Sequence, residues 1–213
     1  LERMAKRNTH DLATEARILE AARQVFRQKG YVGARMEEIA EKAQINKSML
    51  HYYFRSKERL FDVVFEADAG HMAPRIAELL VADRPLLEKI PAFVDAYLSL
   101  ILEHPYIPGF IINELARNEG ELLEKARAKA PAGPILDVFF RQVREEISQG
   151  RIRPVDPRHL LITMMSACVF PFLARPILKM AMNLDEAGFQ AFMEERKIHV
   201  TQFLLSGLAV PNP

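Results

Sequence analysis

The sequence of 213 residues contains a single cysteine and no tryptophan. One thiol cannot close an internal disulfide, and a chain of this length buries enough core for one or two domains without such a staple. A long hydrophobic run is also missing. The most apolar stretch, residues 160–174, is 15 residues long, is broken by Pro171 and is followed at once by Arg175, whereas a helix needs about 20 apolar residues to cross a bilayer. No membrane association is therefore expected. The opening LERMAKRNTH has neither the apolar stretch nor the small-residue cleavage site of a secretory signal, which together with the lone Cys168 leads to the expectation of a reducing, cytoplasmic location. His-Glu-x-x-His, Gly-x-Ser-x-Gly, Cys-x-x-Cys and a glycine-rich phosphate loop are all absent, so no enzyme and no cofactor are expected. Cys168 lies in an apolar run, where a thiol is inert packing. Asp68 and His71 give one Asp-x-x-His pair where a carboxylate-bridged metal site needs two, so no metal is expected either.

What is present is an uneven charge. The net formal charge is +1, but residues 1–59 carry 13 Lys/Arg against 8 Asp/Glu, and the remaining 154 carry 16 against 20. A basic first quarter on a mildly acidic remainder suggests an anion-binding module joined to something else. Helical periodicity runs almost throughout and no strand alternation is found, so the fold is expected to be all-α. Ile18, Ala21, Ala22, Val25 and Phe26 share a helix face over about 12–29, with Gly30 where a C-cap belongs. Met36, Ile39, Ala40 and Ala43 give a second, short helix. Gln44 and Ile45 turn the chain, Asn46 suits an N-cap, and Leu50, Tyr53 and Phe54 share a face of a third helix of two turns. Ser56 caps a fourth, with Leu60, Phe61, Val64 and Phe65 apolar. Further helices are expected at about 86–103, 106–117, 119–129, 132–149, 156–173 and 185–206.

Two short helices on a three- or four-residue turn, packed on a longer one, form the arrangement of a helix-turn-helix DNA-binding unit. On the third helix Lys47 with His51 and Ser48 with Tyr52 sit at i, i+4, opposite Leu50 and Phe54, and offer a cation, hydroxyls and an imidazole to a major groove. The stretch ILEAARQVFRQKGYVGARMEEIAEKAQINKSMLHYYFRSKERLF, residues 18–61, resembles the N-terminal domain of the TetR family of bacterial transcriptional regulators. Its markers are Phe26…Lys29-Gly30-Tyr31, Met36-Glu37-Glu38-Ile39-Ala40, Lys47…Leu50…Tyr52-Tyr53-Phe54 and Ser56-Lys57-Glu58. The resemblance implies that Lys47, Ser48, Met49, His51 and Tyr52 face DNA and that Tyr53 and Lys57 reach phosphates. Three positions depart from the family pattern. Arg35 stands where a Thr or Ser commonly caps the second helix, and it can still bind a phosphate. Gln44 replaces the usual turn glycine, which predicts a strained backbone there, and His51 replaces a common Tyr.

The division expected is a helix-turn-helix domain over residues 1–58 and a helical effector-binding and dimerisation domain over 59–213. The resemblance implies a ligand-responsive regulator, usually a repressor, that binds a palindromic double-stranded operator as a homodimer and is released by a small apolar effector. The alternative reading is a helical small-molecule or lipid-binding protein without DNA affinity. The aromatic and sulfur-bearing residues of the middle helices supply the candidate effector pocket: Phe93, Tyr97, Phe110, Phe139, Met164, Cys168 and Phe172. His104, beside Glu103 and one helix before Glu114 and Arg117, supplies its polar end. The segments 156–173 and 185–206 are the candidate dimer surface, with Met165, Phe189, Phe192, Arg196, His199 and Phe203 in contact.

Overall fold

The computed structural model describes residues 2–112, 116, 124 and 132–210. Among the described residues there is no strand. The helices are α1 (Glu2–Gly33), α2 (Met36–Lys42), α3 (Lys47–Tyr53), α4 (Lys57–Val81), α5 (Leu86–Glu103), α6 (Ala132–Ser148), α7 (Pro157–Leu173), α8 (Arg175–Ala181) and α9 (Glu186–Leu208), with a further helical stretch at 107–112. The helix expected over 119–129 lies, but for residue 124, outside the described residues, as do Glu114 and Arg117. No single helix among those described is long and apolar enough to cross a membrane.

The chain forms two compact units, Leu1–Gly70 with His104–Ile107, and His71–Glu103 with Pro108–Pro213. The first unit is built on Ile18, Ala22, Val25, Phe26, Ile39, Leu50, Leu60, Phe61 and Val64, all fully buried. Phe26 meets Phe61 edge-on at 4.7 Å between ring centres, the geometry aromatic quadrupoles favour. Leu60, Phe61 and Val64 belong to α4, and the first unit runs to Gly70. The start of α4 supplies part of the first core. α1 begins ten residues before the expected start at about 12, because residues 1–10 carry no apolar period, and it breaks at Gly30 (φ 66°, ψ 178°). That φ is open to glycine at little cost.

The second unit packs α5 along α9 and α7, with α6 on α5 and α7. α5 buries Leu86, Ile90, Phe93, Val94, Leu98 and Ile101. Both later long helices start at an aspartate cap: Asp156 accepts from the Arg158 N–H at 2.8 Å, and Asp185 from the Gly188 N–H at 2.7 Å. Such a cap contributes about 1 kcal/mol. The seven-residue α8, with Pro176 in its first turn, is too short to announce itself by periodicity.

Candidate nucleic-acid interface

Residues 43–46 carry the turn between α2 and α3. Gln44 takes φ 56°, the left-handed conformation its lack of a glycine predicts. Its N–H donates to the Glu41 carbonyl at 3.0 Å, and Ile45 N–H to that of Ala40 at 3.0 Å. Asn46 then caps α3 by accepting from the Met49 N–H at 2.7 Å. Leu50 is 0% exposed and anchors α3 to the core, which turns the opposite face outward. On that face Lys47, Ser48, Met49, His51 and Tyr52 are all exposed, Tyr52 at 81%. Arg35 is exposed at the N-cap position of α2, where its side chain makes no capping bond. Six of the eight expected DNA-facing residues are thus exposed on α3 and at the start of α2, and Arg55 and Arg59, which follow in sequence, are exposed too.

The chemistry of this surface is adjustable. Lys47 pairs with Glu37, and the bond lowers the Glu37 carboxyl from its ordinary value. Both partners are well exposed, so the pair is worth little and a phosphate can take the ammonium over. The His51 Nδ1 lies 3.3 Å from the Arg55 carbonyl, which can only accept, so Nδ1 is the donor and Nε2 is left for an outside partner. The other two residues are engaged in the fold. The Tyr53 hydroxyl donates to Asp11 at 3.0 Å, and burial followed by that bond raises its pKa. Lys57 Nζ donates to the Tyr31 carbonyl at 3.0 Å and the Ala34 carbonyl at 3.2 Å and lies 4.6 Å from the centre of the Tyr31 ring. It closes the carbonyl end of α1, with one of its three N–H groups left over.

The residues expected in an effector pocket fall into the second unit with one exception. Phe93, Phe139, Met164 and Cys168 are fully buried and Phe172 nearly so, whereas Tyr97 and Phe110 are half-buried. Burial pushes the Tyr97 phenol and the Cys168 thiol up to about 12 each, so the thiol is held neutral and unreactive. The exception is His104, which turns to the first unit: its Nδ1 sits 3.1 Å from Asp68. A buried carboxylate outcompetes a pocket for an imidazole donor.

Two residues expected at a dimer surface make contacts within the chain. Phe189 is buried edge-on against Phe172, ring centres 6.0 Å apart. Arg196 donates from Nη2 to the Ala167 carbonyl at 2.8 Å. Both serve to join α9 to α7 within the chain. Met165 and His199 are exposed, Phe203 is 73% exposed, and Phe192 is half-buried. Ile162, Phe170 and Ile198 are exposed beside them on α7 and α9.

One constellation joins residues far apart in the chain. Asp68, 4% exposed, accepts from Arg23 Nε at 2.9 Å, from His104 and from the Tyr106 hydroxyl. Burial alone would raise its pKa, but the bonds from His104, Tyr106 and Arg23 together outweigh it and hold the carboxyl at about 2. The available signal was a carboxylate on the apolar stripe of α4, in register with Phe61 and Val64. In the second unit Lys89, 1% exposed, is the counterpart on the stripe of α5. It donates to the Leu80 carbonyl at 2.8 Å and to Gln142, and burial lowers its pKa.

Comparison with known proteins agrees with this geometry. Residues 18–64 match the family model described as "Bacterial regulatory proteins, tetR family", and residues 83–213 match "Tetracyclin repressor-like, C-terminal domain". The HTH-type transcriptional regulator RutR of Escherichia coli (strain K12) is 29% identical over 157 residues, 73% of this chain and 72% of its own. The HTH-type transcriptional repressor NicS of Pseudomonas putida is 27% identical over 182 residues, 84% of each chain. Among solved structures, a transcriptional regulator of the TetR/AcrR family from Thermobifida fusca superposes with a TM-score of 0.60 at 21% identity, covering 91% of this chain and 97% of that one.

Proposed function

The chain belongs to the TetR family of bacterial transcriptional regulators and is a DNA-binding regulator, and from that premise we propose that it is a repressor, reading a palindromic operator as a homodimer in the cytoplasm and released by a small, largely apolar effector. The observation that carries the reading is the exposed face of α3. A two-turn helix anchored by Leu50 presents Tyr52 and its neighbours to solvent, Tyr52 at 81% exposure with only an edge-on contact to Tyr53, ring centres 5.5 Å apart. One such helix covers a few base pairs, so tight binding calls for two, on half-sites roughly 34–36 Å apart. The exposed apolar residues of α7 and α9, Phe203 above all, suit an isologous contact between two copies. The effector falls to the second unit, where Phe93, Tyr97, Met164 and Phe172 give an apolar lining and the Tyr97 hydroxyl a polar point. A coupling of about 1–3 kcal/mol would loosen operator binding roughly 5–150-fold.

The test is titration of fluorescent duplexes with Tyr52→Ala. A base contact predicts a loss of about 1–3 kcal/mol on the operator and a relaxed preference at one position. An equal loss on operator and random DNA would place Tyr52 on the backbone. For the effector, a thermal-shift screen of hydrophobic compounds should yield hits that also weaken operator binding.

A further inference from the structure

α4 is shared: its residues to Gly70 belong to the first unit and those from His71 to the second. It is gripped at two points, each by an end of α5. Near the start of α5, Lys89 donates to the Leu80 carbonyl of α4. Just past its end, His104 and Tyr106 close on Asp68 of α4, with Arg23 of α1 as third donor. Pro74 lies between the two grips. Proline has no N–H to give to the carbonyl four residues back, so the helix is weakened there.

We propose that Asp68 is a catch: its carboxylate holds the His104–Ile107 segment on α1 and α4, and making or breaking that hold sets the operator affinity of the α2–α3 surface. The physical ground is that the hold is all or none. A carboxylate this buried is stable as an anion only while its donors stay in place, so the segment is either seated or released, the kind of two-state element that coupling between sites requires. Arg27 also bears on it, through the Tyr106 phenol. α5, which carries Phe93 and Tyr97, runs in sequence directly into the His104–Ile107 segment. The inference rests on the reading that the second unit controls the first. Its test uses no effector, so a failed effector screen and a failed catch are separate results.

The experiment measures hydrogen exchange and operator affinity on the full chain, using a duplex selected by the protein itself. The Ile107 N–H, bonded to the His104 carbonyl at 3.1 Å, reports whether the segment is seated. Operator binding is expected to change exchange at residues 104–107 in the wild type, by reciprocity of coupling. Asp68→Asn and Tyr106→Phe are expected to shift operator affinity by about 5–100-fold and to abolish that exchange response. Tyr106→Phe removes one hydroxyl and decides the matter if Asp68→Asn does not fold. A staple that serves the fold alone would lower the melting temperature of both variants and nothing else. Unchanged exchange at 104–107 on operator binding, or folded variants binding within about twofold of wild type, would overturn the proposal.

Discussion

Replacing Gln44 by glycine is expected to stabilise the protein. At φ 56° the Gln44 Cβ crowds its own carbonyl, a cost of about 1–2 kcal/mol for an L residue that glycine does not bear. Glycine returns part of this through its greater freedom in the unfolded chain, about 0.5–1 kcal/mol. The net gain is about 0.5–1 kcal/mol, or roughly 2–4 °C per kcal/mol in the melting temperature of a chain this size. The turn's hydrogen bonds run through backbone groups of Gln44 and Ile45, so glycine keeps them, and the side chain is exposed. Calorimetry of Gln44→Gly beside Gln44→Ala is the assay. Alanine keeps the Cβ and should leave the melting temperature where it was. If glycine proves no more stable than alanine, the strain assigned to this turn does not exist.

Lys57→Met, which loses the bonds to the Tyr31 and Ala34 carbonyls, should cost about 1–3 kcal/mol of stability. It should also lower the slope of log affinity against log salt by about 0.9; an unchanged slope would assign Lys57 to the fold alone. Because the Asp68 carboxyl is held at about 2, below its ordinary value, its bonds stabilise the fold above about pH 4, and that contribution is lost as pH falls toward 2. It amounts to about 2 kcal/mol, so the gap in urea midpoint between wild type and Asp68→Asn should narrow over that interval. Phe203→Glu puts a charge on an exposed apolar face and should give a monomer by sedimentation with sharply weaker operator binding; an unaltered dimer would move the interface elsewhere.

The parts of the fold that were legible in advance are those set by local chemistry. Asn46 caps α3 as expected, the starts of α7 and α9 fall one residue after the expected 156 and 185, the bounds of α5 follow its apolar period from Leu86 to Glu103, and a non-glycine residue at turn position 44 announced backbone strain. The outward face of α3 followed from the burial of Leu50. What was not legible depends on residues distant in the chain. Phe189 and Ile198 are both large apolar residues on α9, yet only Phe172 across the unit decides that the first is core. His104 reads as a pocket residue until Asp68, 36 positions earlier, claims it. Tyr53 and Lys57 carry DNA-binding chemistry in sequence, and their bonds to Asp11 and to the end of α1 are set by partners 42 and 26 positions away. Periodicity tells which face is buried, but not which partner buries it.

On the proposed reading, the exposed faces of two α3 helices read one DNA palindrome. Selection of bound sequences from a random duplex library at physiological salt, with the purified full chain, tests it most directly. An inverted repeat with half-site centres about one helical turn apart is expected, and Tyr52→Ala should lose that enrichment. Recovery of no sequence above background, from protein stripped of bound small molecules, would contradict it.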